Sequence, residues 1–395
     1  MYLLYIVLFL FPFYKSTFYF EIGIITFNPY SIGIIALALL AMAQNIFTTR
    51  KYAINLVDIF LMLFCLSFFI STLLAPDIVK SGSMAYRWVF LPVISYFVIK
   101  TFIYDEDQFM KALFFLLAGT VAFSILGLME IGITARRYLV LSMPPIGAAT
   151  LAAYVLITIF YSGWWRKKIG FVSLLFSALL LFLTYSRIYL IAILISPLLF
   201  YLIIRRGHII KLFVLLFPVS LILALSLTVT PTLFMPRFNP SKEVRTISRV
   251  VDIRMYEKSI YNRARQYREG LHGFAKHPLI GTGIKRGRTI VTTHNFHIEW
   301  LEYGGLLGYM FGFGIFASYF LIQRPYVTKD RFCAINMCII SIVLINCFFN
   351  GIMHGIMPYV IFIFMGLGEA RRKIIEQEAE HFGLSAGLTL QSEQT

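Results

Sequence analysis

Runs of about 20 mostly apolar residues recur along the whole chain, separated by short polar turns, and about 20 such residues are what a helix needs to cross a bilayer. Twelve runs fit: Tyr2–Phe20, Pro29–Phe47, Ile54–Leu74, Met84–Phe102, Phe109–Met129, Ser142–Ser162, Ile169–Tyr185, Ile188–Ile204, Leu212–Thr230, Ile298–Ile322, Phe332–Asn350 and Ile356–Gly368. The first contains Lys15 and ends beside Glu21. It lacks the basic start and small-residue cleavage site of a signal peptide. The pattern predicts an all-α membrane protein of about twelve transmembrane helices. No solenoid repeat interrupts it.

The one long departure from this rhythm is residues 231–297. The expected organisation is therefore 1–230 for helices one to nine, 231–297 for a large loop, 298–368 for helices ten to twelve and 369–395 for a cytoplasmic tail. Within the loop, apolar and aromatic residues at 260, 261, 264, 267, 271, 274 and 275 keep helical spacing up to Pro278. This predicts an amphipathic helix with Arg263 and Tyr267, four apart, on one face. A glycine-rich turn follows, Pro278-Leu279-Ile280-Gly281-Thr282-Gly283.

Composition supports the membrane reading, since charged residues make up 14% against about 25% in soluble domains. The four cysteines lie inside apolar runs, which excludes a disulfide framework in the loop and points to buried small hydrophobes. Charge adds orientation. Dense Lys/Arg turns at Arg50-Lys51, Arg166 to Lys168, Arg205-Arg206, Arg324 to Arg331 and Arg371 to Lys373 fall on one side of the helix count, the side that stays cytoplasmic. The large loop then lies outside. It carries thirteen Lys/Arg against four Asp/Glu, +9 of the chain's +16. A long loop crosses regardless of its charge, so a surplus this large calls for an anionic partner, and phosphate is the simplest.

Other basic residues map to the same outer side. Arg87 lies near the start of the fourth run, Arg136 and Arg137 follow the fifth, and Arg187 sits between the seventh and eighth. An ionisable group at membrane depth is expensive and by default functional, although a helix-end arginine also snorkels to the headgroups. Asp58, inside the third run, either pairs with an arginine or caps a polar contact. At the loop exit stands Thr293-His294-Asn295-Phe296-His297. Four roles compete for His294: loop histidine, metal ligand with His297, general base and pH sensor. The cationic loop repels divalent ions and supplies no carboxylate cage, so neither metal nor cofactor is expected. A base that titrates near neutrality fits better.

His294-Asn295, nine residues, then Gly305-Leu306-Leu307-Gly308 resembles the outer-loop signature of the O-antigen ligase and O-antigen polymerase family. Thr184-Tyr185-Ser186-Arg187 is similar to its Thr-x-Ser-Arg segment. Arg263-x-x-x-Tyr267 with the 278–283 turn resembles its Arg-x-x-x-Trp and Pro-Leu-Leu-Gly-x-Gly run, with Tyr267 standing for Trp. The resemblance covers mainly residues 170–310. It implies a GT-C-like glycosyltransferase of the bacterial inner membrane, its active site facing the periplasm. The donor would be an undecaprenyl-pyrophosphate-linked glycan, and the acceptor lipid A–core (ligase) or a second lipid-linked glycan (polymerase). Membrane lipids are the other partners, and nucleic acid is not one. His294, Arg187 and Arg263 take the catalytic roles. Arg87, Arg265, Arg268, Asn295 and Tyr267 take substrate-binding ones. A transporter is the main rival, but its polar residues should lie at the membrane midplane rather than at the outer helix ends. An envelope scaffold is another.

Overall fold

The computed structural model describes residues 1–14, 20–22, 25–47, 54–134, 143, 145–184, 187–206, 253–284, 295–350 and 355–381. These are mostly helical, with one antiparallel hairpin, β1 (Phe20–Ile22) with β2 (Ile25–Phe27), in which Phe20 pairs with Phe27. Of the first predicted run, Tyr2–Leu10 is α1 and Phe11–Phe13 a 3-10 turn, while residues 15–19 lie outside the described residues. The ninth predicted run lies outside the described residues.

Most other runs become helices close to their predicted bounds. They are α2 (Pro29–Phe47), α3 (Leu56–Leu73), α4 (Ile78–Ala85), α5 (Leu91–Phe102), α6 (Glu106–Thr134), α7 (Pro145–Ser162), α8 (Lys168–Leu183) and α9 (Arg187–Arg206). The loop holds α10 (Ile253–Lys276), and α11 (Phe296–Val327), α12 (Arg331–Asn350) and α13 (Met357–His381) complete the described set. Among the described residues four helical stretches are long and apolar enough to cross a membrane: Leu56–Leu73, Ile78–Phe102, Glu106–Glu130 and Phe296–Val327. Shorter apolar helices accompany them. Along α3, Met62, Leu66, Phe69 and Leu73 form one exposed apolar stripe, while Leu61, Phe64, Phe68 and Ser71 are buried behind it. A stripe of that kind would be a liability in water and is an ordinary lipid-facing surface in a bilayer.

Small residues let helices approach closely where apolar surface gives no drive to associate. A Cβ on Gly308 would stand 3.2 Å from the Phe68 ring, and one on Gly366 would stand 3.0 Å from the Tyr96 carbonyl oxygen. α3 accordingly lies along α11, and α5 along α13. Cys333, Cys338 and Cys347 are buried and Cys65 half-buried.

A buried ionic centre gathers at one end of this bundle. Asn55 and Asp58 form a reciprocal cap on α3. Asp58 also accepts from Lys100 Nζ (2.5 Å) and the Tyr96 hydroxyl (3.0 Å), so its partner is a lysine rather than the arginine considered from sequence. Glu369 accepts from Asn55 Nδ2 (2.6 Å) and Gln323 Nε2 (2.9 Å) and pairs with Arg372 (3.1 Å). Arg372 also holds Glu376, and Arg371 bridges Asp330 (2.7 Å) and Glu106. Asp58 and Ser71 are thirteen residues apart on α3, so this centre lies about 20 Å from the break described next.

Candidate active site

α11 is not one span. Gly305 has φ 64° and ψ −165°, and the nine residues before it turn back along the residues after it. Trp300 stacks on Phe316 with ring centroids 5.9 Å apart and planes 5° from parallel. In a straight helix these residues would be about 24 Å apart. His297 Nδ1 hydrogen-bonds the Tyr309 hydroxyl at 3.0 Å across the same fold-back. The predicted tenth span is thus a buried arm, 296–304, followed by a helix, 306–327, of about 33 Å.

Breaking a helix inside a membrane orphans its backbone. An intact α11 would bond Leu306 N–H to the Glu302 carbonyl and Leu307 N–H to that of Tyr303. Instead the glycine-rich turn inserts itself. Leu306 N–H donates to the Pro278 carbonyl (2.8 Å) and Leu307 N–H to that of Leu279 (3.1 Å). Thr282 N–H donates to the Glu302 carbonyl (2.8 Å) and Gly283 N–H to that of Tyr303 (3.1 Å). The strap thus replaces both missing rungs from both sides. The insertion requires glycine on each partner. A Cβ on Gly281, itself at φ 80°, would lie 2.5 Å from Gly305 N, and one on Gly305 would lie 2.5 Å from Gly281 N. The two glycine motifs are halves of one joint, and these glycines are spent on packing rather than on cradling phosphate.

The other end of the arm is built around Asn295. Its side chain accepts from the backbone of His297 (3.0 Å) and Ile298 (3.3 Å), the N-cap of α11. Tyr267, Leu271 and Ile298 form an apolar patch that docks α10 on the arm. A Cβ on Gly273 would stand 2.9 Å from Glu302 Cγ, so that contact is close along its length. Burial pushes the Tyr267 phenol above its usual range, with the Arg263 guanidinium pulling the other way, which keeps it a proton donor. Arg263 is half-buried one turn before Tyr267. Arg265 and Arg268 point to the exposed side, where Arg265 Nε bonds Glu269 Oε1 at 2.8 Å.

Arg187 is the first residue of α9. Two residues on, the buried Tyr189 hydroxyl accepts from Thr150 Oγ1 (2.7 Å) and Asn346 Nδ2 (2.6 Å), which fixes the start of α9 against α7 and α12. Arg87 sits in a π-helical turn, Tyr86–Phe90, a distortion common at functional sites. Its carbonyl accepts from the Tyr359 hydroxyl at 2.6 Å. Around it Tyr14, Tyr30 and Tyr359 gather with centroids 5.1 and 5.8 Å apart. The Arg87 backbone thus lies beside this tyrosine cluster, whereas Arg263 is on α10, one turn from Tyr267. His294, Arg136 and Arg137 lie outside the described residues, as does the side chain of Arg187.

Sequence reasoning missed Ser71, Thr282 and Tyr359 as site-building residues. Ser67 and Ser71, four apart in an apolar run, were the available signal.

Fold and site define a multi-pass helical membrane protein in which the basic loop is plugged into a broken span. Residues 172–316 match the family model for O-Antigen ligase, and this match supports the O-antigen ligase and polymerase family of surface-polysaccharide enzymes. The matched segment contains Arg187, Arg263, the strap and the arm, and ends at Phe316, on which Trp300 stacks. No curated protein matches the chain.

Proposed function

We propose that this protein is an O-antigen ligase. It transfers a glycan from undecaprenyl pyrophosphate to a lipid A–core acceptor on the periplasmic side of the inner membrane, with inversion and without a metal. His294 takes the proton of the acceptor hydroxyl, whose oxygen then bonds the anomeric carbon from the side opposite the leaving group. The anomeric C–O bond breaks, and its electrons leave with the lipid pyrophosphate. Arg187 and Arg263 hold that growing negative charge, where fixed donors lower the barrier most. Guanidinium forks suit pyrophosphate oxygens and stay charged at any relevant pH. Arg87, Arg265 and Arg268 assist on the same substrates, and the apolar helices hold the isoprenoid.

The observation that carries this reading is the docking of α10 on the arm through Tyr267, Leu271 and Ile298. It joins the helix bearing Arg263 to the arm whose cap, Asn295, is covalently next to His294. The test is incubation of purified protein with lipid-linked glycan, with and without a lipid A–core acceptor. Glycan appearing on lipid A–core supports the ligase. Longer lipid-linked glycan formed without that acceptor makes the protein a polymerase acting through the same site. Neither product would overturn both.

A further inference from the structure

The strap and the arm meet α3 at one hydroxyl. Ser71 Oγ accepts from Gly283 N–H (2.7 Å) and donates to the Tyr303 carbonyl. Thr282 Oγ1 donates to the Glu302 carbonyl (3.1 Å), which already takes the Thr282 N–H. Ser71 is fully buried and Thr282 nearly so. The strap is also rigidly continuous with α10, because His277 N–H donates to the Phe274 carbonyl (3.1 Å) and Gly281 N–H to that of His277 (2.8 Å). The arm is therefore held twice by the same loop, at its tip by Tyr267 and at its base by the strap, with Ser71 tying the base to the membrane core.

We propose that Ser71 and Thr282 are positioning residues for the transfer reaction, setting the tilt of the arm so that its tip meets the reacting groups held by α10. This rests on the transfer chemistry proposed above. The arm has nine residues and is about 13 Å long, so a tilt of roughly 5° at its base moves its tip by about 1 Å. Misplacement on that scale costs up to about 100-fold in rate. Both hydroxyls are buried and bonded to backbone, so donor binding should stay intact when either is lost.

The test uses the purified full chain with Ser71→Ala, Thr282→Val and the conservative Thr282→Ser. Transfer kinetics and amide hydrogen exchange over residues 296–307 are both read. The expected result is a fall in kcat of about 10- to 100-fold in Ser71→Ala and Thr282→Val, with the donor KM unchanged. Exchange should speed up in 296–307 and in the strap residues bonded to it, 281–283, and nowhere else, and Thr282→Ser should restore both readings. Wild-type kcat with wild-type exchange in Ser71→Ala and Thr282→Val overturns the proposal. So does faster exchange spread over the whole chain, or a Thr282→Ser variant as impaired as Thr282→Val. If the wild type transfers no lipid-linked glycan at all, the transfer reading fails instead, and a role for these hydroxyls in transfer fails with it. Exchange over 296–307 then still reports separately whether they hold the arm.

Discussion

The two ends of α3 solve the same problem differently. Near Asp58 the buried polar groups are side chains, and they neutralise one another: Lys100 with Asp58, Arg372 with Glu369 and Glu376, Arg371 with Asp330 and Glu106. Near Ser71 the buried polar groups are mainly peptide bonds, satisfied by a strap from another part of the chain. An ionic centre uses up its side chains in holding helices together. A backbone joint instead anchors an arm, whose far edge meets α10 where Ile298 packs on Tyr267. The end stitched by backbone is the one where the proposed transfer chemistry falls.

The largest effect should come from that edge. His294→Ala should cut transfer by about 100- to 10,000-fold, the usual worth of a general base, with donor still bound and no recovery in His294→Gln. Arg187→Ala and Arg263→Ala should remove most activity in folded protein, with Lys rescuing only in part. Transfer assays beside donor-binding measurements decide this, and full activity in Arg187→Ala would reduce that residue to a helix-end anchor.

At the ionic end the effect should fall on stability instead. Lys100→Met strands a fully buried Asp58 and should cost about 3–5 kcal/mol. Replacing the pair together, Asp58→Leu with Lys100→Met, should cost less. Thermal unfolding in detergent measures both, and equal losses would mean that Asp58 matters as a cap and not as an ion.

Gly281→Ala and Gly163→Ala separate backbone strain from the joint itself. Both glycines have φ near 80°, but a Cβ on Gly163 meets only Arg331 Nη1 at 3.8 Å. Gly163→Ala should lose about 1–2 kcal/mol from conformation alone. Gly281→Ala should lose more and take transfer activity with it. Similar melting curves for the two variants would show that the strap yields.

The smallest effect is a pH dependence. Burial, with Lys100 beside it, pushes Lys373 down to about 8 from 10.5. Its folded form binds its proton less well than the unfolded form does. Its contribution to stability therefore improves as pH rises from about 8 towards 10.5. Wild-type melting temperature should gain on Lys373→Met across that window, and parallel curves would contradict the shift.

Periodicity made much of this legible. The face shared by Arg263 and Tyr267 follows from their spacing of four, and most helix bounds follow from where the apolar runs end. Hydropathy reports burial but not the direction of the chain. Gly304-Gly305 lies inside an apolar run, so nothing in that run announces that α11 doubles back. The glycine-rich turn and the Gly305-Leu306-Leu307-Gly308 signature were both visible as motifs. Their mutual contact was not, because the rungs they exchange are peptide groups that every residue carries. Asp58 stood out, but its partner Lys100 lies 42 residues on in another run, a pairing only tertiary structure makes.

The broken ladder also has a place in time. Ser71 and residues 278–283 come earlier in the chain than residues 302–307, and chains are made and begin to fold from the amino end. When the ribosome reaches the break, each group that will satisfy it has already been synthesised. The orphaned amides and carbonyls of α11 therefore need not wait unpartnered in the lipid. A rearranged gene that encodes α11 ahead of the strap would reverse that order. It should yield a chain that first closes its own straight helix and must be opened afterwards to reach the same structure.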